Sequence, residues 1–230
     1  MAPPRVVTFD FYGTMVQWHQ ALETAMGEVL ARKGAPGGKA PSLLRVFHET
    51  GRALRDSPPM RSYRSVLRMS LAAALAEHGL ACDREDVALL MGRVSRIPAF
   101  PEVPAVLKRL RESYRLGVIS NTDDDIISGS LETLGAPIDH VITAQQAGAY
   151  KPNLRLFHYA HQKMGVTPDQ VVHVAASQAL DMQVCAAMGI RAIWVNRRGE
   201  QPDPRWRPRL IVADLTQLPE LIPALCATQS

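Results

Sequence analysis

Four short polar segments carry the residue types that could do chemistry. The first runs from Asp10 to Thr14, directly after an apolar, β-branched stretch and through a glycine turn. A carboxylate held at the end of a strand can act as a nucleophile, and the amides of such a turn can hydrogen-bond an oxyanion. A single aspartate before a turn more often stabilises the loop, so this segment indicates chemistry only together with the other three.

The other segments are Ile119–Thr122, Tyr150–Pro152 and Val174–Asp181. The donors of Ser120 and Asn121 suit an anion at the start of a helix, although plain helix capping uses the same residue types. Lys151 precedes a proline and therefore sits on an extended backbone, although the usual place of a lysine is the surface. Asp181 enters a helix, where an acid near the N-terminus is favourable in any protein.

An alternation of strands and helices positions these segments. Apolar, β-branched runs predict strands at residues 5–10, 115–120, 140–143, 171–175, 190–195 and 210–212, with helical periodicity between most of them. This order predicts an α/β fold with a Rossmann-like, doubly wound parallel sheet and helices on both faces. Ligands of such sheets bind beyond the carboxyl ends of the strands, where Asp10, Ser120 and Asn121 are expected.

An all-helical block interrupts that alternation. Helical spacing begins at Trp18 and continues over Ser42–Arg55, Tyr63–His78 and Arg84–Arg93, with no strand pattern between them. We therefore expect two domains: an α/β core formed by residues 1–15 and 97–230, and an inserted α-helical cap formed by residues 16–96. A helical insertion at the carboxyl edge of the sheet would form a lid.

The composition excludes several classes of protein. Of the 230 residues, 47% are hydrophobic and 21% are charged, which excludes a disordered or fibrous chain, and no apolar run reaches the ~18 residues of a membrane span. The net charge of +4 comes without the clustered basic and aromatic residues of a nucleic-acid binder. Three widely spaced cysteines, and an N-terminus without a secretory pattern, predict a cytoplasmic protein with reduced thiols.

In order and spacing, the four segments resemble the motifs of the haloacid dehalogenase-like (HAD) hydrolase superfamily, and the helical block resembles its small α-helical cap. Most members are magnesium phosphatases, whose pattern has an acid two residues after the nucleophile and an acidic pair in the last motif. This sequence has Tyr12 and Ala176 at those positions. Magnesium prefers several hard oxygen ligands, and a phosphoryl leaving group would lack its acid. The pattern therefore favours a branch that works without metal or cofactor.

The Asp-x-Tyr-Gly-Thr form of the first motif resembles the 2-haloacid dehalogenase branch. That resemblance implies that Asp10 displaces the halide from C2 of a 2-haloalkanoate with inversion. Water then hydrolyses the aspartyl ester, which releases a 2-hydroxy acid. Lys151 and Thr14 would hold Asp10, and Asp181 with Lys151 would position or activate the water.

The same resemblance implies a set of substrate-binding residues, namely Tyr12, Arg45, Ser120, Asn121, Ser177 and Gln178. Ser120 and Asn121 would bind the substrate carboxylate. An arginine of the cap would hold the departing halide, because a guanidinium is permanently charged and weakly hydrated. Arg45 is favoured by its place in the second cap helix, and Arg52 and Arg64 are the alternatives.

Two departures from this branch keep other functions open. The branch commonly has Ser at the position of Ala176 and Asn at that of Gln178, and both help to hold water. A magnesium-dependent phosphatase or other small-molecule hydrolase, and a non-catalytic HAD-like protein, are therefore the alternatives. The expected partner is a small anionic substrate rather than nucleic acid or a membrane, and the family resemblance also allows a homodimer.

Overall fold

The computed structural model describes residues 4–227, and the chain divides into two compact units. The α/β unit is formed by Met1–Val16, Ala99–Asn121 and Leu134–Ser230, and the helical unit by Gln17–Pro98 and Thr122–Thr133. The domain boundaries predicted from the sequence instead assign residues 122–133 to the α/β core, and those predicted boundaries stay a proposal.

Six strands and ten α-helices form within the described residues. The strands are β1 (Val6–Phe9), β2 (Arg115–Ser120), β3 (His140–Thr143), β4 (Val171–Ala175), β5 (Arg191–Val195) and β6 (Leu210–Val212). The helices are α1 (Trp18–Arg32), α2 (Ala40–Asp56), α3 (Tyr63–Glu77), α4 (Arg84–Val94), α5 (Val103–Leu110), α6 (Asp124–Leu131), α7 (Ala144–Ala147), α8 (Leu154–Met164), α9 (Gln183–Met188) and α10 (Leu218–Ala227).

The sheet of the α/β unit is parallel throughout and has the order β3-β2-β1-β4-β5-β6. The order reverses at β1, which pairs with β2 on one side and with β4 on the other. The doubly wound α/β fold predicted from the sequence is thereby confirmed. In sheets of this kind, ligands bind beyond the carboxyl ends of the strands at the reversal, here β1, β2 and β4.

The central strands are apolar because both faces of the sheet are covered. Every residue of β1, β4 and β5 is buried. Thr8 in β1 and His173 in β4 are buried polar residues of this core, and the strand register places them side by side. A buried polar pair needs hydrogen bonds to offset its desolvation, and the partners of this pair lie in the site described below.

In the helical unit, α2 buries one face and packs mainly against α3. Gly51 lies on that face, and a Cβ atom there would be 3.1 Å from Ser70 Oγ, so glycine permits the close approach. The first turn of α3 is capped by Asp123, whose carboxylate accepts the backbone N–H groups of Tyr63 and Arg64 at 2.8 and 2.9 Å.

No helix within residues 4–227 combines the length and the apolar character that crossing a membrane requires. Cys82 and Cys185 are free thiols. The side chain of Cys226, and the N-terminal residues used for the prediction about secretion, lie outside the described residues.

Candidate active site

Asp10 follows β1 and is held by two donors that come from different parts of the α/β unit. Lys151 Nζ donates to its Oδ1 at 2.6 Å, and Thr14 Oγ1 donates to its Oδ2 at 2.9 Å. Gly13 has a φ of 80°, a left-handed conformation that glycine adopts without strain, and the turn there brings Thr14 back to the carboxylate. Asp10 is 8% exposed, whereas Asp181 is fully buried, so Asp10 is the more accessible acid.

Lys151 is a fully buried lysine whose ammonium uses all three of its donors. Its Nζ donates to Asp10 Oδ1, to Asp181 Oδ1 at 2.7 Å and to the carbonyl of Ile119 at 3.0 Å. Asn121 holds the Lys151 backbone from both sides: Asn121 Oδ1 accepts the Lys151 N–H at 2.7 Å, and Nδ2 donates to its carbonyl at 3.2 Å. The ammonium is therefore fixed between two carboxylates by the ends of β1 and β2 and by the segment before α8.

One positive charge shared by two buried carboxylates shifts the pKa of all three groups. Burial raises the pKa of Asp10; the charge of Lys151 opposes this rise, and the charge of Asp181 adds to it. Burial alone would also raise the pKa of Asp181, but the charge of Lys151 and the hydrogen bond from His173 bring it below its ordinary value. Burial would lower the pKa of Lys151, yet the two carboxylates raise it. The site therefore keeps a charged lysine beside an ionised Asp181.

His173 connects Asp181 to the centre of the sheet. Its Nε2 lies 3.0 Å from Asp181 Oδ1, and its Nδ1 lies 2.8 Å from Thr8 Oγ1. All three residues are fully buried. His173 is not among the site residues predicted from the sequence, where its signal is a single histidine inside the apolar strand Val171–Ala175.

The segment that carries Asp181 is a π-helical turn, Gln178–Met182, rather than the regular α-helix expected from the sequence. Ser177 caps this turn, and its Oγ accepts the N–H of Leu180 at 3.2 Å. Single π-turns are frequent at functional sites because the extra residue redirects side chains. Here the turn lies directly after β4 and carries Asp181 towards Lys151.

The loop after Asp10 is tied to the other strand ends through Thr14. Its Oγ1 accepts the backbone N–H of Ala176 at 2.9 Å while it donates to Asp10. Arg197 Nη2 donates to the Thr14 carbonyl at 2.9 Å and to Glu102 Oε1 at 2.6 Å. Arg197 also lies over the ring of Phe100, 3.7 Å from the ring centroid.

The chain matches the model of the haloacid dehalogenase-like hydrolase family over residues 4–189, a range that includes Asp10, Thr14, Lys151 and Asp181. It belongs to this family of hydrolases.

Individual relatives within the family differ in what their names state. An (S)-2-haloacid dehalogenase 4A of Burkholderia cepacia is 27% identical, over 96% of this chain and 94% of its own. A phosphoserine phosphatase of Thermus thermophilus is 31% identical, but over only 54% of this chain and 51% of its own. A crystal structure of a dehalogenase with an intermediate complex has a TM-score of 0.86 and 22% identity, and covers 96% of this chain and 98% of its own.

The structure brings Asp10, Thr14, Lys151 and Asp181, the four predicted catalytic residues, into one hydrogen-bonded cluster. Their roles in this HAD hydrolase stay predictions.

The predicted substrate-binding residues of the α/β unit differ in the hydrogen bonds that their side chains make. Ser120 is buried, and its Oγ has no hydrogen-bond partner among the described residues. Asn121 uses both ends of its amide on Lys151, as described above, and Ser177 caps the π-turn. Gln178 points to another loop: its Nε2 donates to the carbonyl of Gln201 at 3.0 Å, and its Oε1 accepts the N–H of Asp203 at 2.7 Å.

Tyr12 and the three candidate arginines complete the predicted set. Tyr12 is half-buried, with its ring edge-on to Phe11. In the helical unit, Arg45 is exposed and forms an ion pair with Glu49 at 2.8 Å, one turn along α2. Arg52 is exposed on the same helix, and Arg64 pairs with Asp125. The assignment of the halide-binding arginine stays a prediction.

Proposed function

We propose that this protein hydrolyses short 2-haloalkanoic acids to 2-hydroxy acids, without a metal and through an ester on Asp10. The observation that carries the proposal is the ammonium of Lys151, which lies between Asp10 and Asp181 and hydrogen-bonds to both. A nucleophilic carboxylate that is oriented and balanced by a fixed cation suits displacement at carbon. The likeness to (S)-2-haloacid dehalogenase 4A over nearly the whole chain supports the same reaction.

In the first step the carboxylate of Asp10 attacks C2 of the substrate. A carbon–oxygen bond forms, the carbon–halogen bond breaks, and the halide leaves with the bonding electrons. Because halide needs no proton to leave, Tyr12 can stand where a phosphatase of this family has its acid. The single backside attack inverts C2. Thr14 and Lys151 hold the two oxygens of Asp10, which limits the orientations that the nucleophile has to search.

In the second step water attacks the carboxyl carbon, Cγ, of esterified Asp10. The bond from Cγ to the product oxygen breaks, and the 2-hydroxy acid leaves from C2 without any further change there. Regeneration of the Asp10 carboxylate releases one proton, so the net products are the hydroxy acid, a halide ion and a proton. Asp181, with Lys151 beside it, accepts the proton of the attacking water.

Arg45, or else Arg52 or Arg64, completes the proposal by holding the halide, while Ser120 and Asn121 bind the substrate carboxylate. Tyr12 contributes to the wall of the substrate site, and Ser177 and Gln178 complete its lining. A homodimer stays a prediction of the same resemblance, and a cytoplasmic location stays a prediction from the cysteines and the N-terminal sequence.

Halide release from racemic 2-chloropropionate and from fluoroacetate, measured with EDTA present, tests this function. We expect release by the wild type and none by Asp10→Asn. Asp56→Asn, at an exposed position in α2, serves as the matched control and should equal the wild type. In a single turnover in H₂¹⁸O with enzyme in excess, the label should enter Asp10 rather than the hydroxy acid.

Two other outcomes would point to the alternatives. A wild type that releases no halide but releases phosphate from phosphate esters with magnesium would be a phosphatase, as the Thermus relative is named. A wild type that is inactive in both assays would favour a non-catalytic HAD-like protein. Label in the hydroxy acid after one turnover would replace the ester with direct attack of water on C2.

A further inference from the structure

We infer that His173 is a positioning residue for hydrolysis of the Asp10 ester, and that it acts through Asp181. The inference rests on the proposed function and adds to it a residue outside the four motifs. His173 has no exposed surface, and its two ring nitrogens lie at hydrogen-bond distance from Asp181, a member of the cluster, and from Thr8. Its influence on the reaction therefore passes through the carboxylate of Asp181.

The hydrogen-bond distances fix the direction of this chain of donors. An ionised carboxylate only accepts, so the 3.0 Å contact requires His173 Nε2 to carry the proton. Thr8 Oγ1 lies 2.8 Å from Nδ1 but 3.5 Å from the carbonyl of Val172, so the hydroxyl donates to the ring at the far better distance. Thr8 thus donates to His173, and His173 donates to Asp181. Asp181 thus sets the tautomer, and the Thr8 hydroxyl supplies the matching donor to Nδ1.

The two oxygens of the Asp181 carboxylate differ in their hydrogen bonds. Lys151 Nζ and His173 Nε2 both donate to Oδ1. Oδ2 is buried and has no hydrogen-bond partner among the described residues. With two bonds from different directions on one oxygen, the carboxylate cannot rotate freely, and Oδ2 is the oxygen left to take a proton.

This arrangement matters for the second step more than for the first. Asp10 has its own two donors, Lys151 and Thr14, during attack on C2. For the water, Ala176 offers no hydroxyl, and the Gln178 amide is bonded to the loop at 201–203. Asp181 is the remaining group of the cluster that can act as a base.

The proton balance of that step follows. As the oxygen of water bonds to Cγ of Asp10, one of its protons passes to Asp181 Oδ2. The tetrahedral adduct then expels the product oxygen, which takes the proton back from Asp181 and leaves as the hydroxyl. The carboxylic acid formed on Asp10 loses its remaining proton to solvent. Asp181 ends each turnover ionised, with Oδ1 still held by His173.

The set Thr8, His173 and Asp181 has the residue types of a hydrolytic triad but not its accessibility. Thr8 lies in β1, which is paired on both sides, and its side chain is fully buried. No ester could reach its hydroxyl, so Thr8 is a donor to the ring rather than a nucleophile.

Rapid-quench kinetics with 2-chloropropionate test the inference, because halide reports the first step and the hydroxy acid reports the second. For His173→Leu we expect the first equivalent of halide at a rate within about threefold of the wild type, followed by turnover that is roughly 10- to 100-fold slower. Intact mass should then show a 1-carboxyethyl group on most of the enzyme. His173→Gln keeps an N–H donor and should recover part of the turnover.

Matched variants separate positioning from a general effect on folding. His161 is a second buried histidine of the α/β unit, whose two ring nitrogens have no hydrogen-bond partner among the described residues, and His161→Leu should keep the wild-type ratio of the two steps. Thr8→Val keeps the shape and removes the donor to Nδ1, so it should slow the second step several-fold, and Thr8→Ser should restore it. The variants Thr8→Val and Thr8→Ser therefore test the role of His173 in the second step even when His173→Leu does not fold.

The outcomes are distinguishable. Equal slowing of both steps in folded His173 and Thr8 variants, or no trapped ester, would overturn the role of His173 and leave the proposed function intact. A wild type that releases no halide would overturn the proposed function itself.

Discussion

A lysine bridges two aspartates in each unit of the molecule, and one of the two bridges lies in the candidate active site. In the α/β unit, Lys151 Nζ lies 2.6 and 2.7 Å from oxygens of Asp10 and Asp181. In the helical unit, Lys33 Nζ lies 2.9 and 2.8 Å from oxygens of Asp83 and Asp86. Residue types and distances are nearly the same.

Burial and the number of other donors make the difference. Hydrogen bonds from Arg32 and Lys33, and one from the backbone of Asp86, lower the pKa of Asp83, and its side chain is 46% exposed. Burial and the charge of Asp181 raise the pKa of Asp10, against a single lysine. The contrast is therefore between Asp83, an exposed carboxylate with several donors that caps α4, and Asp10, a buried carboxylate whose pKa is raised by burial despite its one positive neighbour.

Removal of the lysine should separate the two bridges most clearly. Lys151→Met leaves two buried carboxylates without their cation, so we expect kcat to fall by at least about 10³-fold and the free energy of unfolding to fall by roughly 3–5 kcal/mol. Lys33→Met should change kcat by less than about twofold, since Lys33 pairs with Asp83 and Asp86 and not with the residues of the candidate active site. Halide release and urea denaturation measure both. A comparable loss of kcat in Lys33→Met would contradict the comparison.

Two histidines on α8 repeat the contrast between buried and exposed groups. Burial, together with the nearby His173 and His158, lowers the pKa of His161 from 6.5 to about 4, whereas His158 is exposed. Between these two pH values the unfolded chain binds a proton that the folded chain does not, so stability falls as the pH falls through this window. The expected loss is up to about 3 kcal/mol.

Urea denaturation of His161→Leu at a series of pH values measures that loss. The stability of the variant relative to wild type should increase as the pH is lowered from 6.5 towards 4, because the variant has no imidazole to protonate. Parallel curves for the wild type and His161→Leu would show that His161 does not titrate in this window.

Removal of the Asp181 charge tests the raised pKa of Asp10, and its expected effect is smaller than those above. In the proposed first step, attack on C2 needs the ionised carboxylate of Asp10, so single-turnover halide release should fall on the acid side. Asp181→Asn removes a negative neighbour that raises the pKa of Asp10, and the acid limb should therefore move to lower pH, even though the second step is lost. Movement to higher pH would mean that loss of the Lys151 geometry outweighs the loss of charge.

The sequence predicts most of the fold because the signals are local. The strands are short β-branched runs that end at polar turns, and the helical block has clear periodicity. The meeting of Asp10, Lys151 and Asp181 follows from topology, since the carboxyl ends of parallel strands share one edge. These features need no knowledge of side-chain partners.

The rest of the site depends on partners that are distant in the chain and carry no periodic signal. His173 resembles an ordinary core residue until strand register places it beside Thr8, 165 positions away. Gln178 bonds to the irregular segment at 201–203, which no pattern connects to it. The π-turn at 178–182 also has the same apolar spacing as an α-helix, so only its hydrogen bonds distinguish it.

The smallest expected effect concerns Asp83, the exposed carboxylate of the Lys33 bridge. Asp83 caps α4, and its Oδ1 accepts the N–H groups of Glu85 and Asp86 at 2.9 and 3.1 Å. Asp83→Asn keeps an oxygen for the cap, since asparagine caps helices about as well as aspartate, and it removes only the charge that Arg32 and Lys33 share. Because salt screens exposed charges strongly, with a Debye length of about 3 Å at 1 M, any stability difference from the wild type at low salt should vanish at 1 M NaCl. Asp83→Ala, which also removes the cap, should stay less stable at both salt concentrations. If Asp83→Asn is as unstable as Asp83→Ala at both salt concentrations, the charge of Asp83, and not its cap, stabilises the start of α4. The two lysine bridges would then differ only in the exposure of their carboxylates.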